Sequence, residues 1–261
     1  MSEPTACLTV GGSDSCAGAG IQADLAMFSR IGVVGCSVIT ALTAQNPDRI
    51  LRIEPSPLAQ FEAELHAILS YYDVKAIKTG MLPDVGHIGM LGEMLAQYGI
   101  NCPLVVDPVM VSTSGTTLLD PAAVSALQAV MFPRASLMTP NLPEAENFLG
   151  SPVDDPVEAT AELVRRFHCP VLLKGGHGKE EMLLDVLCMP DGDVHLFEHP
   201  RIHWNKDQAH GSGCRLAAAI AAYLSLEMPL AEAVSRAIAV LVQPHDGHDR
   251  NMHHIPPIVL S

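Results

Sequence analysis

The segment Gly211-Ser212-Gly213-Cys214 has a composition suited to binding negative charge. It stands directly before an alanine-rich stretch of helical period, so it is predicted to begin a helix. Two glycines and a serine there would surround one point with N–H groups that have no partner inside the helix, and such groups bind anions. We expect Cys214 to lie in the first turn, where the helix dipole lowers the pKa of a thiol. An ordinary N-cap at Ser212 and a small buried side chain at Cys214 are the alternative.

Residues 11–20 form a glycine-rich segment between a predicted strand and a predicted helix. Glycines let a ligand approach the backbone closely, and the helix behind them offers N–H donors. The spacing of Gly18, Gly20 and Ala23 matches the dinucleotide-binding fingerprint formally, but no acidic residue ends the expected second strand and the loop is several residues too long. We therefore interpret that match as chance. A glycine-rich turn with no ligand is the alternative to a binding loop.

Polar residues that suit metal and phosphate binding follow three further predicted strands. Asp107 follows the first, Asn141 and Glu144 follow the second, and Lys174 ends the third. Open α/β sheets bind ligands at the carboxyl ends of their parallel strands, so we expect these side chains to converge. Carboxylates would hold Mg²⁺, and the lysine together with helix N–H groups would hold phosphate. This combination of groups is typical of enzymes that transfer phosphoryl groups. The sequence contains no Gly-x-x-x-x-Gly-Lys-Ser/Thr motif, which excludes a P-loop NTPase.

The elements that must position these residues alternate between short apolar runs and longer segments of helical period, as in βαβ units. A turn signal at residues 190–193 also predicts an antiparallel hairpin. Strands are predicted at residues 6–10, 33–44, 75–79, 104–107, 137–139, 171–174, 182–188 and 194–198. Helices are predicted at residues 21–31, 57–71, 85–98, 121–130, 143–149, 156–167, 212–226 and 230–242. No repeat or linker interrupts the pattern, so we predict a single α/β domain over residues 1–261.

Composition excludes several classes of protein. The chain has 261 residues, 48% of them hydrophobic, which argues against intrinsic disorder. Its formal net charge of −14 disfavours binding to nucleic acid or to anionic membranes. No secretory signal and no apolar run of membrane-spanning length is visible. Seven scattered cysteines without a Cys-x-x-Cys pair argue against a disulfide framework or a zinc ribbon, so we expect a cytoplasmic protein.

Six sequence blocks, taken in order, resemble the hydroxymethylpyrimidine/phosphomethylpyrimidine kinases, a family of the ribokinase-like superfamily. The resemblance implies a three-layer α/β/α sandwich with a central, mostly parallel sheet and a few antiparallel strands in its C-terminal part. It also implies an enzyme of thiamin biosynthesis that phosphorylates a pyrimidine alcohol and then its monophosphate, with ATP and Mg²⁺, as a homodimer. The blocks are residues 18–25 (GAGIQADL), 37–46 (SVITALTAQN), 78–82 (KTGML), 107–110 (DPVM), 139–145 (TPNLPEA) and 174–177 (KGGH).

The same resemblance assigns roles to individual residues. It implies that the pyrimidine lies among Gly12, Asp24, Thr43, Gln45, Met81 and Val109. It implies that Asn141, Glu144, Lys174 and Ala209 bind the nucleotide, and that Asp107 and Glu144 hold the metal. It implies an anion hole of Gly211, Ser212 and Gly213 beside Lys174, with Cys214 accepting the proton of the substrate CH₂OH. Asp24 could accept a hydrogen bond from the ring amino group, while Gln45 could both donate and accept.

Three departures from the family pattern keep alternative functions open. Ala209 lacks the usual hydroxyl near the phosphates, Arg215 puts a cation in the first helical turn, and residues 247–254 lack the usual glycines. Arg215 either opposes the helix dipole or binds a phosphate. The alternatives are a pyridoxal-type vitamin kinase, whose relatives tend to carry an apolar residue in place of Gln45, and a non-catalytic pyrimidine-binding relative. We interpret the histidines of residues 245–254 as an exposed tail and not as a metal cluster.

Overall fold

A computed structural model of the chain describes residues 5–110, 118–175, 181–201 and 210–242. Within these ranges the strands form one nine-stranded sheet. The strands are β1 (Thr5–Asp14), β2 (Gly35–Asn46), β3 (Arg49–Pro55), β4 (Asp73–Thr79), β5 (Leu104–Val106), β6 (Leu137–Met138), β7 (Val171–Leu173), β8 (Met182–Cys188) and β9 (Val194–Pro200). Their order in space is β3-β2-β1-β4-β5-β6-β7-β8-β9.

Eight α-helices and a 3₁₀ turn at Phe132–Arg134 occupy the described connections. None of these helices is both long enough and apolar enough to cross a membrane. The helices are α1 (Gly20–Ile31), α2 (Leu58–Leu69), α3 (Val85–Gln97), α4 (Pro121–Val130), α5 (Leu142–Leu149), α6 (Pro156–Phe167), α7 (Ser212–Ser225) and α8 (Leu230–Val242).

The sheet is parallel from β2 to β7 and antiparallel at both edges. At one edge β3 pairs antiparallel with β2, and at the other β8 pairs antiparallel with both β7 and β9. The predicted parallel centre and C-terminal hairpin are therefore confirmed. The carboxyl ends of β1, β4, β5, β6 and β7 share one edge, as the sequence analysis requires for a site.

Two predictions about the N-terminal strands are wrong. The first strand does not end at Gly11-Gly12, because β1 passes through a register shift there and continues to Asp14. Glycines tolerate such an irregularity within a strand. The antiparallel strand β3 is absent from the prediction, because its residues 49–54 carry three charges and no clean alternation of apolar and polar side chains.

Helices cover both faces of the sheet, which confirms the predicted three layers. On one face, apolar residues of α2 to α6 pack against the strands, with Phe61, Leu91 and Leu163 fully buried. On the other face, the core consists of α1, α7 and α8. The alanines of α7 are buried over the whole of residues 217–222, so the small side chains let this helix approach the sheet closely.

Helix starts follow the side chains that cap them. Asp84 and Asp120 accept hydrogen bonds from backbone N–H groups of the first turns of α3 and α4, as their positions predict. Ser56 does not cap α2, because its hydroxyl donates to the Ile39 carbonyl and Pro57 takes the N-cap position instead.

Candidate active site

A cavity of about 990 Å³ opens at the carboxyl ends of the parallel strands. Its wall includes most of the residues that the sequence assigns to a site, although they are far apart in the chain. Those that line it are Gly12, Thr43, Gln45, Met81, Asp107, Val109, Asn141, Glu144, Lys174, Gly211, Ser212, Gly213 and Cys214. Asp24 is not part of the described wall, and Ala209 lies outside the described residues.

One wall of the cavity is uncharged and consists of β1, β2 and the residues after β4. The Thr43 hydroxyl donates to the Ser13 carbonyl at 2.9 Å, so it is held against the strand. The backbone of Gln45 is fixed by Ser15, whose hydroxyl donates to the Gln45 carbonyl and accepts from the Gln45 N–H. Met81 completes this wall beside Gly12, where an added Cβ would meet its sulfur at 3.7 Å. The wall thus offers apolar surface and one carboxamide, which suits a flat heterocycle.

Asp24 lies away from this wall and has a different partner from the one expected. Its carboxylate is fully buried, where it accepts hydrogen bonds from the Thr9 hydroxyl at 2.6 Å and from Lys78 Nζ at 2.8 Å. The expected contact between Asp24 and a ring amino group therefore has no support in this geometry. The lysine, and not the carboxylate, reaches the cavity.

Lys78 is a cavity residue to which the sequence analysis assigned no role. Only 1% of its side chain is exposed, yet the residue is part of the cavity wall. Burial lowers the pKa of Lys78, but the negative charge of Asp24 more than offsets this, so the net direction is upward and the group is charged. A lysine inside a strand that is buried on both faces is the signal that could have identified it.

The opposite wall is charged and begins at the ends of β5 and β7. Lys174 Nζ lies 2.9 Å from Asp107 Oδ1, and the Thr139 hydroxyl donates to the same oxygen at 3.2 Å. Burial lowers the pKa of Lys174, while Asp107 and Glu144 raise it above its ordinary value overall. Lys174 also reaches the start of α7, because a Cβ added at Gly213 would lie 3.3 Å from its nitrogen.

Asn141 and Glu144 form a capping box at the start of α5. Asn141 Oδ1 accepts from the Glu144 N–H, and Glu144 Oε2 accepts from the Asn141 N–H, both at 2.9 Å. Burial raises the pKa of Glu144 to about 7, with Lys174 opposing and Asp107 reinforcing that effect. Asp107 and Glu144 are buried carboxylates on one cavity wall, so their oxygens fit the hard ligands that Mg²⁺ requires.

The N-terminus of α7 projects into the same cavity. Gly211 has a φ of 76°, and a Cβ there would overlap the Gly18 carbonyl, so only glycine fits. Among the described residues no side chain caps this helix, and all four residues 211–214 line the cavity. The segment predicted to form an anion hole therefore lies at a helix start beside the cavity.

The pKa of Cys214 moves opposite to our expectation. Burial raises it, the positive charge of Lys78 lowers it, and the carboxylates of Asp107 and Asp24 raise it again. The net direction is upward because burial and two negative charges outweigh the lysine and the backbone hydrogen bond with Gly20. The prediction of a lowered thiol pKa was wrong, and the thiol is protonated at rest.

Arg215 forms a hydrogen bond with the backbone just before α7. Its guanidinium donates to the His210 carbonyl at 2.8 Å and is not part of the described wall. The suggested contact between Arg215 and a phosphate therefore lacks support. The histidine-rich tail and residues 176 and 177 of the 174–177 block lie outside the described residues.

A further ion pair lines the cavity and was not predicted. Asp185 Oδ1 accepts from the Gly175 N–H at 2.7 Å, and Asp185 Oδ2 lies 3.2 Å from His199 Nε2. This hydrogen bond raises the pKa of His199. Both residues come from the β8–β9 hairpin, which had been interpreted only as an element of the fold.

Comparison with known proteins identifies the family. The family model described as phosphomethylpyrimidine kinase matches residues 14–254. A hydroxymethylpyrimidine/phosphomethylpyrimidine kinase of Rhizobium meliloti is 44% identical over 93% of this chain and 91% of its own length. A thiamine biosynthesis bifunctional protein of Geobacter sulfurreducens is 45% identical over 88% of this chain. The match covers 47% of that relative, so the chain spans about half its length.

Solved structures agree with these relatives and with the predicted ribokinase-like fold. A phosphomethylpyrimidine kinase from Clostridium difficile superimposes with a TM-score of 0.78 at 37% identity, covering 92% of this chain and 98% of the other. A Bacillus subtilis pyridoxal kinase, solved as an ADP complex, gives 0.78 at 32% identity, covering 91% and 90%. The resemblance inferred from the six sequence blocks is confirmed, and the chain belongs to the phosphomethylpyrimidine kinase family.

Proposed function

We propose that this protein uses ATP to phosphorylate 4-amino-5-hydroxymethyl-2-methylpyrimidine and then its monophosphate, in thiamin biosynthesis. One observation carries the proposal. A single cavity combines an uncharged wall that contains Gln45 with a charged wall that contains Lys174, and the N-terminus of α7 opens into it. A neutral ring and a transferring phosphoryl group need those two environments side by side. Family membership supports the same activity.

The uncharged wall would hold the pyrimidine. Gln45 can donate to a ring nitrogen and accept from the amino group at once, while Gly12, Thr43, Met81 and Val109 supply contact area. Asp24 would act indirectly, by fixing Lys78 at the cavity surface. No direct contact between Asp24 and the ring is therefore proposed.

The charged wall would hold the phosphates. The free N–H groups of Gly211 to Cys214 and the ammonium group of Lys174 would stabilise the charge that spreads over the transferring phosphoryl oxygens. Asn141 would contact the nucleotide through its amide nitrogen, since its oxygen is engaged in the capping box. Asp107 and Glu144 would hold Mg²⁺, which when bound neutralises phosphate charge and aligns the phosphates.

Cys214 would accept the proton of the substrate hydroxyl. Because the thiol is protonated at rest, it must lose that proton before it can act as a base. Lys78 favours this loss, since its charge lowers the thiol pKa against the effect of burial. We therefore expect activity to depend on the fraction of thiolate.

A coupled assay of ADP release with the pyrimidine alcohol, ATP and Mg²⁺ tests the proposal. We expect turnover, and we expect Cys214→Ala to lower kcat by about 10²- to 10⁴-fold, the usual contribution of a general base. Cys102→Ala is the matched control, because Cys102 is half-buried and does not line the cavity. No turnover despite intact pyrimidine binding would instead favour the non-catalytic alternative, which calorimetry with an ATP analogue and Mg²⁺ would then confirm by giving no heat.

Phosphorylation of pyridoxal is the second candidate, favoured by the close superposition on a pyridoxal kinase. Gln45 separates the two activities, because a carboxamide matches an aminopyrimidine edge better than a pyridine with a hydroxyl group. Gln45→Met should shift the ratio of kcat/KM for the two alcohols toward pyridoxal by about tenfold or more. An unchanged ratio would contradict this role for Gln45.

We also propose, from the family resemblance, that the protein is a cytoplasmic homodimer. Sedimentation velocity at micromolar concentration measures the assembly directly. A species of 27.8 kDa alone would contradict the dimer.

A further inference from the structure

Asp14, Cys16 and His210 bring a carboxylate, a thiol and an imidazole together beside the glycine-rich loop. Asp14 Oδ1 lies 3.2 Å from Cys16 Sγ, and Asp14 Oδ2 lies 2.9 Å from His210 Nε2. The three candidate ligand atoms all lie within 4.8 Å of one another. None of the three residues has a role in the proposed phosphoryl transfer.

The cluster is held in place by the backbone around it. The Asp14 carboxylate accepts from the Cys16 N–H at 2.9 Å and from the Ala19 N–H at 2.8 Å, which fixes its orientation. Gly18 makes room for the imidazole, because a Cβ there would overlap the ring of His210. The three groups are therefore preorganised and do not meet by the chance contact of long side chains.

His210 carries an additional sign that the cluster is incomplete. The residue is 6% exposed, and its Nδ1 atom is buried without a hydrogen-bond partner among the described residues. Buried polar atoms in native proteins nearly always have a partner, so an orphan calls for an explanation. Cys16 is exposed, which gives an ion from solvent a route to the cluster.

We propose that Asp14, Cys16 and His210 form a binding site for a divalent transition-metal ion of the Zn²⁺ class. Sulfur, nitrogen and oxygen are the three donors that zinc takes in proteins, at about 2.0 to 2.3 Å. Tetrahedral bonds of that length separate the ligand atoms by roughly 3.3 to 3.6 Å. Asp14 Oδ2 lies 3.4 Å from Cys16 Sγ and 2.9 Å from His210 Nε2. One thiolate and one carboxylate balance the charge of a divalent ion.

Binding requires a simple exchange of protons. The ion replaces the thiol proton of Cys16, which passes to solvent. It takes the lone pair of His210 Nε2, and the ring proton that Nε2 donates to Asp14 moves to Nδ1. A thiolate and an imidazole disfavour Mg²⁺, which prefers oxygen ligands, so this site and the carboxylates of Asp107 and Glu144 would select different ions.

The position of the site gives it a structural consequence. Asp14 and Cys16 lie at the end of β1 and in the turn that follows, whereas His210 precedes the N-terminus of α7. Ala19, His210 and Gly211 line the cavity. A bound ion would therefore join the glycine-rich loop to the segment that precedes α7, 196 residues further along the chain, and we expect the midpoint of thermal unfolding to rise by several degrees.

Titration of the full-length protein with Co²⁺ in excess Mg²⁺ tests the site. Thiolate ligation gives a near-ultraviolet charge-transfer band, and we expect it to saturate at one Co²⁺ per chain and to be displaced by Zn²⁺. Cys16→Ser should abolish the band and weaken Co²⁺ binding by at least tenfold. His210→Gln should reduce the intensity of the tetrahedral visible bands.

Two controls separate the site from other ligands. Cys36→Ser removes a half-buried thiol elsewhere and should leave the titration unchanged. A His253→Ala/His254→Ala variant should also keep the charge-transfer band, because imidazole ligands alone do not produce it. Absence of the band in the wild-type protein, its persistence in Cys16→Ser, or its loss in either control would overturn the proposal.

Discussion

Two buried lysine–aspartate pairs border the cavity, and they differ in their access to it. Lys78 and Asp24 lie 2.8 Å apart with side-chain exposures of 1% and 0%, whereas Lys174 and Asp107 lie 2.9 Å apart with exposures of 12% and 3%. The first pair lies among residues of β1, α1 and β4, and of its two members only Lys78 is part of the cavity wall. In the second pair both members line it.

This difference indicates two uses of the same chemistry. An enclosed pair can exchange neither partner, so Lys78 keeps a fixed positive charge near Cys214. An open pair can exchange partners, so Lys174 can turn from Asp107 to a phosphate while Asp107 turns to a metal ion. We therefore expect the first pair to be important mainly for stability and for the thiol pKa, and the second mainly for catalysis.

Lys78→Met should have the largest effect. It leaves the Asp24 carboxylate buried without its counter-charge, which costs about 3–5 kcal/mol of unfolding free energy. Urea denaturation measures the loss. The double variant Asp24→Leu/Lys78→Met should recover part of it, because replacing both members of a buried pair is often nearly neutral. If the single variant is as stable as the wild type, the pair is not the enclosed element described here.

Lys174→Met should have a larger effect on activity than on stability, the opposite of Lys78→Met. We expect kcat/KM to fall by about 10²- to 10³-fold, as when one preorganised electrostatic group is removed from a transition state. The stability loss should be smaller than for Lys78→Met, because water from the cavity can reach Asp107. Lys75→Met is the matched control for Lys78→Met, since Lys75 lies on the same strand, β4, and pairs with Asp73 at the surface. Equal losses of stability in Lys78→Met and Lys174→Met would contradict the distinction between an enclosed pair and an open pair.

Local sequence signals predicted much of the fold. Asp84 and Asp120 mark helix starts through their own hydrogen bonds, and residues 190–193 mark a turn through the Pro-Asp-Gly-Asp sequence. Strand β3 was missed because an edge strand needs little apolar patterning.

The site was predicted in position but not in its electrostatics. The strand ends and the glycines of 211–214 have recognisable sequence patterns, so most of the wall could be named in advance. The Asp24–Lys78 contact joins residues 54 positions apart, and spacing in the sequence does not predict which partner a buried carboxylate has at that distance. The Cys214 pKa depends on burial and on charges from three other strands and helices, so the helix dipole alone predicted the wrong direction.

The pH dependence of kcat/KM tests the role of the fixed charge. Cys214 must be deprotonated to act as a base, and its pKa is raised, so activity should rise with pH above the ordinary range of a thiol. Lys78 lowers that pKa, so Lys78→Met should move the rising limb to higher pH by about one unit. Lys75→Met should leave the limb in place. The profile is measured well below the temperature at which the variant unfolds. If the rising limb does not move, Lys78 does not influence the pKa of Cys214.

Two glycine-to-alanine substitutions test the difference between the two lysine–aspartate pairs by adding a methyl group close to each ammonium group. Of the four predictions, we expect these to have the smallest effects on stability and activity. A Cβ at Gly80 would lie 2.9 Å from Lys78 Nζ, and a Cβ at Gly213 would lie 3.3 Å from Lys174 Nζ. The buried ion pair with Asp24 holds Lys78 in place, so Gly80→Ala should lower the unfolding free energy by about 1 kcal/mol or more.

Lys174 can move toward the cavity, and alanine favours a helix over glycine by about 0.5–1 kcal/mol. Gly213→Ala should therefore keep or slightly raise stability while it lowers kcat severalfold, because Lys174 is displaced. Urea denaturation of both variants gives the sign of the change in stability, and the ADP assay gives the sign of the change in kcat. Destabilisation by Gly213→Ala as large as that by Gly80→Ala would mean that both ammonium groups are equally confined, and the open pair would then have no freedom to exchange its partner during the reaction.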